Sequence, residues 1–314
     1  MTRRTLAAAF AGLVVLGLAA TLPPSPAATG GDPIHGARPR YGPATVDAIP
    51  NQAAIGPRIW MPGLDGWYNP QGLAVAGSAI LVAAYRSDSP SIHRGPCRVF
   101  RIDPASGAET GHFDVPLPCG HAGGLAYAAA NGKLYVADTH TLFATELTGA
   151  FEGPTPRFQV IPLGPGVTGG LAVSRAGDIW LGTYKKDEPG RLYRFPTAAL
   201  DAMPDGAALN AEHATAALAI PSYAQGAAFD RAGRLWVARS DLRWGELDRL
   251  DPATGQVERE YNVPPGIEGI AFDGTGRLWA VSEAGARHFY DQSWMALVMP
   301  FYPLVFAIDP ARLE

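Results

Sequence analysis

From residue 57 onward, apolar residues fall in short runs that alternate with polar ones or stay apolar throughout. Gly-rich turns bound each run, which is strand and hairpin chemistry. The stretch "YNPQGLAVAGSAILVAAYR" (68–86) shows the unit: an apolar strand opening on a glycine, a tight turn, and a second apolar strand. The unit recurs four times. Its opening glycines are Gly72, Gly124, Gly170, Gly226 and Gly269, at intervals of 52, 46, 56 and 43 residues. The turns read "AGS", "AANGK", "RAGD", "RAGR" and "GTGR". A third strand follows in each unit, such as "RVFRIDP" (98–104) or "LVFAIDP" (304–310). A fourth strand follows in all but the last unit, such as "HFDVPL" (112–117) or "REYNVPP" (259–265). Repeats of 40–50 residues with four strands each are the mark of propeller blades.

The pattern predicts an all-β fold, a β-propeller of five four-stranded blades. The last unit lacks its fourth strand, and "PRIWMPG" (57–63) stands before the first unit as an unused one. An N-terminal strand closing the last blade removes the open edge. Residues 57–314 are then the domain. Six blades are the alternative, but residues 29–56 are too few for another blade and lack its grammar; they read as a linker or surface strap. Residues 197–216 read as a loop excursion with a helix-like stretch. Tyr135, Trp180, Trp236 and Trp279 share one position in the second strand, which suits packing between blades.

The N-terminus changes the setting. Arg3 and Arg4 precede an apolar run, Leu6 to Leu22, and small residues follow near Ala27 and Ala28. This is the pattern of a cleaved signal peptide over residues 1–28, by the general export route or the twin-arginine one. The expected location is therefore extracellular, with no membrane span after cleavage. Loss of Arg3 and Arg4 takes the net charge from −4 to −6. No basic run survives to suit nucleic acid. Cys97 and Cys119 are the only cysteines. In an exported chain they are expected to form one disulfide.

The unit "GAAFDRAGRLWVARSDLRWGELDRLDPATGQVEREYNVP" resembles blades of the gluconolactonase, senescence marker and strictosidine synthase-like superfamily. "GLAYAAANGKLYVADTHTLFATEL" resembles an NHL repeat. The first resemblance implies a divalent metal in the central tunnel, held by a Glu just before a strand-opening glycine, with Asn and Asp from other blades. Glu268 before Gly269 matches that Glu. The remaining positions read Gln71, Gly123, Gly169 and Gln225. "EGIAFDGTGRLWAVSE" is similar to phytase-esterase-like propellers, in which such Glu pairs recur.

Antiparallel pairing places the start of the first strand and the end of the second at one end of the tunnel. That end collects Asn69, Gln71, His121, Thr168, Gln225 and Glu268 with Tyr85, Arg86, Asp138, His140, Tyr184, Lys185, Arg239, Asp241 and Glu283. The long loops 86–97 and 283–303 crown it, and function concentrates on such loops. The candidate ligand-binding residues are Gln71, His121, Asp138, Gln225, Arg239, Glu268 and Glu283. Glu268 and Glu283 share a hairpin and suit a hard cation such as Ca²⁺. A rim role, or pairing of Glu268 with Arg239, is the structural alternative. No G-x-S-x-G, HExxH or phosphate-binding Gly loop is present. Two functions follow as expectations: binding of a small molecule or extracellular protein by a monomer, or metal-dependent hydrolysis of the lactonase kind.

Overall fold

The computed structural model describes residues 33–153, 155–204 and 206–314. The signal segment, residues 1–28, lies outside the described residues. Two strands precede the first hairpin: β1 (Ile34–His35) and β2 (Ile55–Trp60). Blade one is β3 (Tyr68–Ala76), β4 (Ala79–Arg86), β5 (Cys97–Ile102) and β6 (Glu109–Val115). Blade two is β7 (Gly124–Ala128), β8 (Lys133–Asp138), β9 (Thr141–Glu146) and β10 (Gln159–Pro162). Blade three is β11 (Leu171–Arg175), β12 (Asp178–Gly182), β13 (Gly190–Pro196) and β14 (Ala216–Ile220). Blade four is β15 (Ala224–Phe229), β16 (Leu235–Asp241), β17 (Trp244–Leu250) and β18 (Val257–Asn262). The last blade holds β19 (Ile267–Phe272), β20 (Leu278–Ser282) and β21 (Leu304–Ile308). Within each blade, strands consecutive in sequence pair antiparallel with their neighbours.

The fold is a five-bladed β-propeller closed by its N-terminal strand. β2 pairs antiparallel with β21, Arg58 opposite Phe306 and Trp60 opposite Leu304. The closing strand begins two residues earlier than the sequence pattern suggests. β1 adds a fifth strand to this sheet, parallel to β2. Residues 33–54 form a strap with its own anchors. Tyr41 donates its hydroxyl proton to the Gly285 carbonyl at 3.0 Å and meets Phe301 edge-on. Asp47 accepts from the Phe301 amide, and Ile49 and Ala54 are buried. The strap thus pins both ends of the loop that follows β20.

Apolar clusters lie between blades. Trp279 packs against Leu73 and Ile80 of blade one, Trp236 against the last blade, Tyr135 against blade three, and the part-buried Trp180 against blade four. Turn residues satisfy the polar ends of three of these rings. Trp236 and Trp279 donate to Asp230 and Asp273 at 3.1 and 3.0 Å, and Asn131 donates to the Tyr135 hydroxyl at 2.9 Å.

The strand-opening glycines form the neck of the tunnel. A Cβ on Gly72 would meet the Leu125 amide nitrogen at 2.6 Å, and one on Gly124 would collide with Leu171 and Ala172. Gly226 and Gly269 face the next blade in the same way. Inner strands touch backbone to backbone there, which explains why the repeat opens on glycine.

Cys97, at the start of β5, is bonded to Cys119, with Cα atoms 5.9 Å apart. The bond encloses the two outer strands of blade one. By the chain-entropy model, a loop closed over a separation of 22 residues is worth about 3 kcal/mol. Cys97→Ser/Cys119→Ser protein is expected to melt roughly 5–10 °C lower. Identical melting of the two proteins would show that the bond is dispensable. Among the described residues, no helix is long and apolar enough to cross a membrane.

Candidate functional site

Three inner strands open with a register shift: blade one between Pro70 and Leu73, blade four between Ala224 and Gly226, the last blade between Ile267 and Ile270. A bulge re-aims the side chain it carries. The bulged residues include Gln71, Gln225 and Glu268, which the repeat places at the tunnel mouth. Blades two and three have Gly123 and Gly169 there and add no side chain.

Glu268 is 1% exposed, and its Oε1 has no partner. Burial pushes its carboxyl well above the ordinary glutamate range, and the charge of Glu283 adds to the shift. The Ser240 hydroxyl stands near enough to oppose it, outside hydrogen-bonding geometry. Glu283 closes the other side. Its Oε2 accepts from Asn69 Nδ2 at 2.7 Å and from Gln71 Nε2 at 3.0 Å. Burial raises Glu283 to about 7 against these two donors. Asn69 Nδ2 also reaches the Tyr85 hydroxyl at 3.0 Å, while Asn69 Oδ1 is buried without a partner. Tyr184, across the mouth, is raised by burial and then by the charge of Glu268. Two carboxyls with raised proton affinity therefore converge at a mouth whose rim residues Thr168, Tyr184, Gln225, Asp241 and Glu283 are half-buried.

The other candidates hold the scaffold. Asp138 Oδ1 accepts the backbone N–H groups of Gly120, His121 and Ala122 at 3.2, 2.6 and 3.1 Å, and Oδ2 accepts from Arg94. It anchors the turn into blade two. Arg239 donates to the Ser222 carbonyl, Glu246 and Asp248. It is engaged within its own blade and forms no ion pair with Glu268. His121 stacks on Tyr85 at 5.0 Å, and its Nδ1 donates to the His93 carbonyl at 2.9 Å. Burial lowers its proton affinity. Gln225 sits half-buried on the rim. Arg86, His140 and Lys185 are exposed.

Sequence reasoning missed His288, Tyr223, Trp244 and Ser240. His288 is buried against the edge of Tyr85, with Nδ1 on the Ser87 carbonyl at 3.1 Å and Nε2 without a partner. It arrives on a short helix, Arg287–Tyr290, inside a loop that offered no periodicity. Ser240 was legible: it is the neighbour of Asp241 at the end of a second strand.

The metal expectation meets this geometry poorly. Asn69 and Gln71 turn N–H donors toward Glu283, where a cation shell needs oxygens. Among the described residues, the one group of three His, Cys, Asp or Glu with ligand atoms within 4.8 Å is Cys97, Cys119 and Asp138. Its sulfurs are bonded to each other and its carboxylate is occupied by backbone N–H groups, so it is not a metal site.

No protein-family model matches the sequence, and no curated protein matches it. Solved structures do. The glutaminyl cyclase of Myxococcus xanthus aligns with a TM-score of 0.53 at 14% identity, over 81% of this chain and 94% of that one. A luciferin-regenerating enzyme aligns at 0.41 and 11% identity, over 79% and 93%. The PQQ-bound aldose sugar dehydrogenase of Streptomyces coelicolor aligns at 0.38 and 16%, over 69% and 78%. The first of these likenesses agrees with the β-propeller that the strands show. At such identities the likeness is one of fold.

Proposed function

We propose that this protein binds a small polar molecule at the tunnel mouth and exchanges protons with it through Glu268 and Glu283. The observation that carries the reading is Glu268: a carboxyl 1% exposed, with an unpartnered oxygen, beside a second carboxyl. Burying a polar group without a partner is costly. Paired titratable groups pushed away from their usual range are the signature of acid–base sites. Glu283, near 7, is suited to accept a proton from an attacking amine or water. Glu268 holds its proton and can give it to a leaving group. Asn69 and Gln71 orient Glu283, and Tyr85 orients Asn69.

Two probes follow from the resemblances. One is a glutaminyl peptide, chosen from the name of the M. xanthus neighbour. The other is glucono-δ-lactone, from the superfamily resemblance. Turnover of one probe is expected, reduced about 10²-fold or more in Glu268→Gln and in Glu283→Gln. Melting curves and turnover are expected to be the same in Ca²⁺ and in chelator. A Ca²⁺-dependent rise in melting temperature that vanishes in Glu268→Gln would instead establish the metal-dependent lactonase reading. No turnover and no thermal shift with either probe would remove the proposal.

A further inference from the structure

The half of the mouth facing blades three and four carries a second set of groups. Tyr184 follows β12, Tyr223 precedes β15, and Trp244 opens β17; all three rings are half-buried. Tyr184 and Tyr223 meet nearly perpendicular, at 88° and 6.4 Å between centroids. Tyr223 and Trp244 meet at 70° and 5.4 Å. The three rings meet edge to face and form a row of aromatic groups along this half of the mouth.

Tyr223 is fixed there at a backbone cost. Its φ is 60°, a left-handed conformation unusual for a bulky residue. Its amide donates to the Lys185 carbonyl at 2.7 Å, and its carbonyl accepts from Ser240 at 3.3 Å. Asp241 lies directly opposite Trp244 across the two-residue turn Leu242–Arg243. Cross-strand partners share one face of a sheet, so the carboxylate and the indole stand together. The Asp241 carboxylate enters no hydrogen bond or ion pair among the described residues.

This set is continuous with the carboxyl pair. The Gly266 amide donates to the carbonyls of Asp241 and Trp244, and the Gly266 carbonyl accepts from Glu283. Arg239 approaches Trp244 to 6.0 Å, but Glu246 and Asp248 take its charge. Lys185 pairs with Glu188. Lys186 and Arg243 are exposed. Aromatic faces beside a free carboxylate form the arrangement that recognises ammonium groups. Buried acceptors without donors, Glu268 Oε1 and Asn69 Oδ1, lie farther in.

We propose that the mouth takes its ligand by an ammonium group, seated among Tyr184, Tyr223 and Trp244 and paired with Asp241. The ligand class is a small organic amine or quaternary ammonium compound whose polar remainder reaches Glu268 and Glu283. The inference rests on the tunnel mouth being the ligand site.

The test compares choline with 3,3-dimethylbutan-1-ol, its uncharged isostere, by calorimetry or ligand-observed NMR on the full chain. Choline is expected to bind at least about tenfold more tightly than the isostere. Asp241→Asn and Trp244→Ala are each expected to weaken choline by about tenfold, and Trp244→Phe by less. Glu258→Gln, on the outer strand β18, is expected to change nothing. Failure of choline to bind, equal binding of the two probes, or indifference to Asp241→Asn would each overturn the proposal. If choline fails while Glu268→Gln still abolishes turnover of the glutaminyl or lactone probe, the ammonium seat falls and the acid–base site stands.

Discussion

Protein lacking residues 55–60 will show no cooperative unfolding transition. β21 is buried along its whole length and pairs with β2 on one side and β20 on the other. Without β2, the backbone groups of Leu304–Ile308 face an open edge, and unmet buried groups of this kind cost about 1–3 kcal/mol each. Ile59 also sits in the cluster that joins the last blade to blade one. A ring depends on every junction, so the damage is global and the exposed edge invites aggregation. Near-ultraviolet circular dichroism during heating checks the outcome. A sharp transition near the wild-type temperature would show that closure by β2 is not required. Deleting residues 33–50 is a milder change, yet not a neutral one. It removes Tyr41, Asp47 and Ile49, so a transition is expected at lower temperature, with the 283–303 loop loosened.

How the fold could be read from residues, and the site only partly, has a physical basis. Hairpins are local: a glycine-opened strand, a turn and a second strand announce themselves within twenty residues, and five copies fix the count. The closing strand was legible by accounting, since one unit lacked a strand and the N-terminus held a spare. β1 was not, because two residues in a Gly- and Pro-rich stretch make no pattern. Antiparallel pairing likewise put Glu268 and Glu283 at one end correctly. Pairing does not say where a side chain turns once there. Arg239 and Asp138 share that end with Glu268, yet one is drawn to acids of its own blade and the other to three backbone N–H groups. Tyr223 depends on a left-handed backbone, and His288 on a loop that only tertiary packing shapes.

Wild-type protein will lose stability from pH 5 to pH 8 relative to Glu283→Gln. The folded state raises Glu283 from the ordinary 4.5 to about 7, chiefly by burial. In the window between those values the native state binds more protons than the unfolded one, so stability falls as pH rises. The stabilisation is complete below pH 4.5, where both states are protonated, and is lost as pH passes 7. A shift of that size corresponds to roughly 3 kcal/mol, and partial solvent contact brings it to about 2 kcal/mol. The side-chain amide of the Glu283→Gln variant keeps an oxygen to accept from Asn69 and Gln71 but cannot ionise. Asp248, raised to about 6 by burial, acts in the same direction in both proteins and cancels in the difference. Glu268 acts in the same direction, because burial and then the charge of Glu283 raise its carboxyl. Urea unfolding at pH 5, 6, 7 and 8 is the measurement. The variant should gain on the wild type steadily across the series, and parallel curves would mean that Glu283 ionises as a solvated surface group, taking the acid–base site with it.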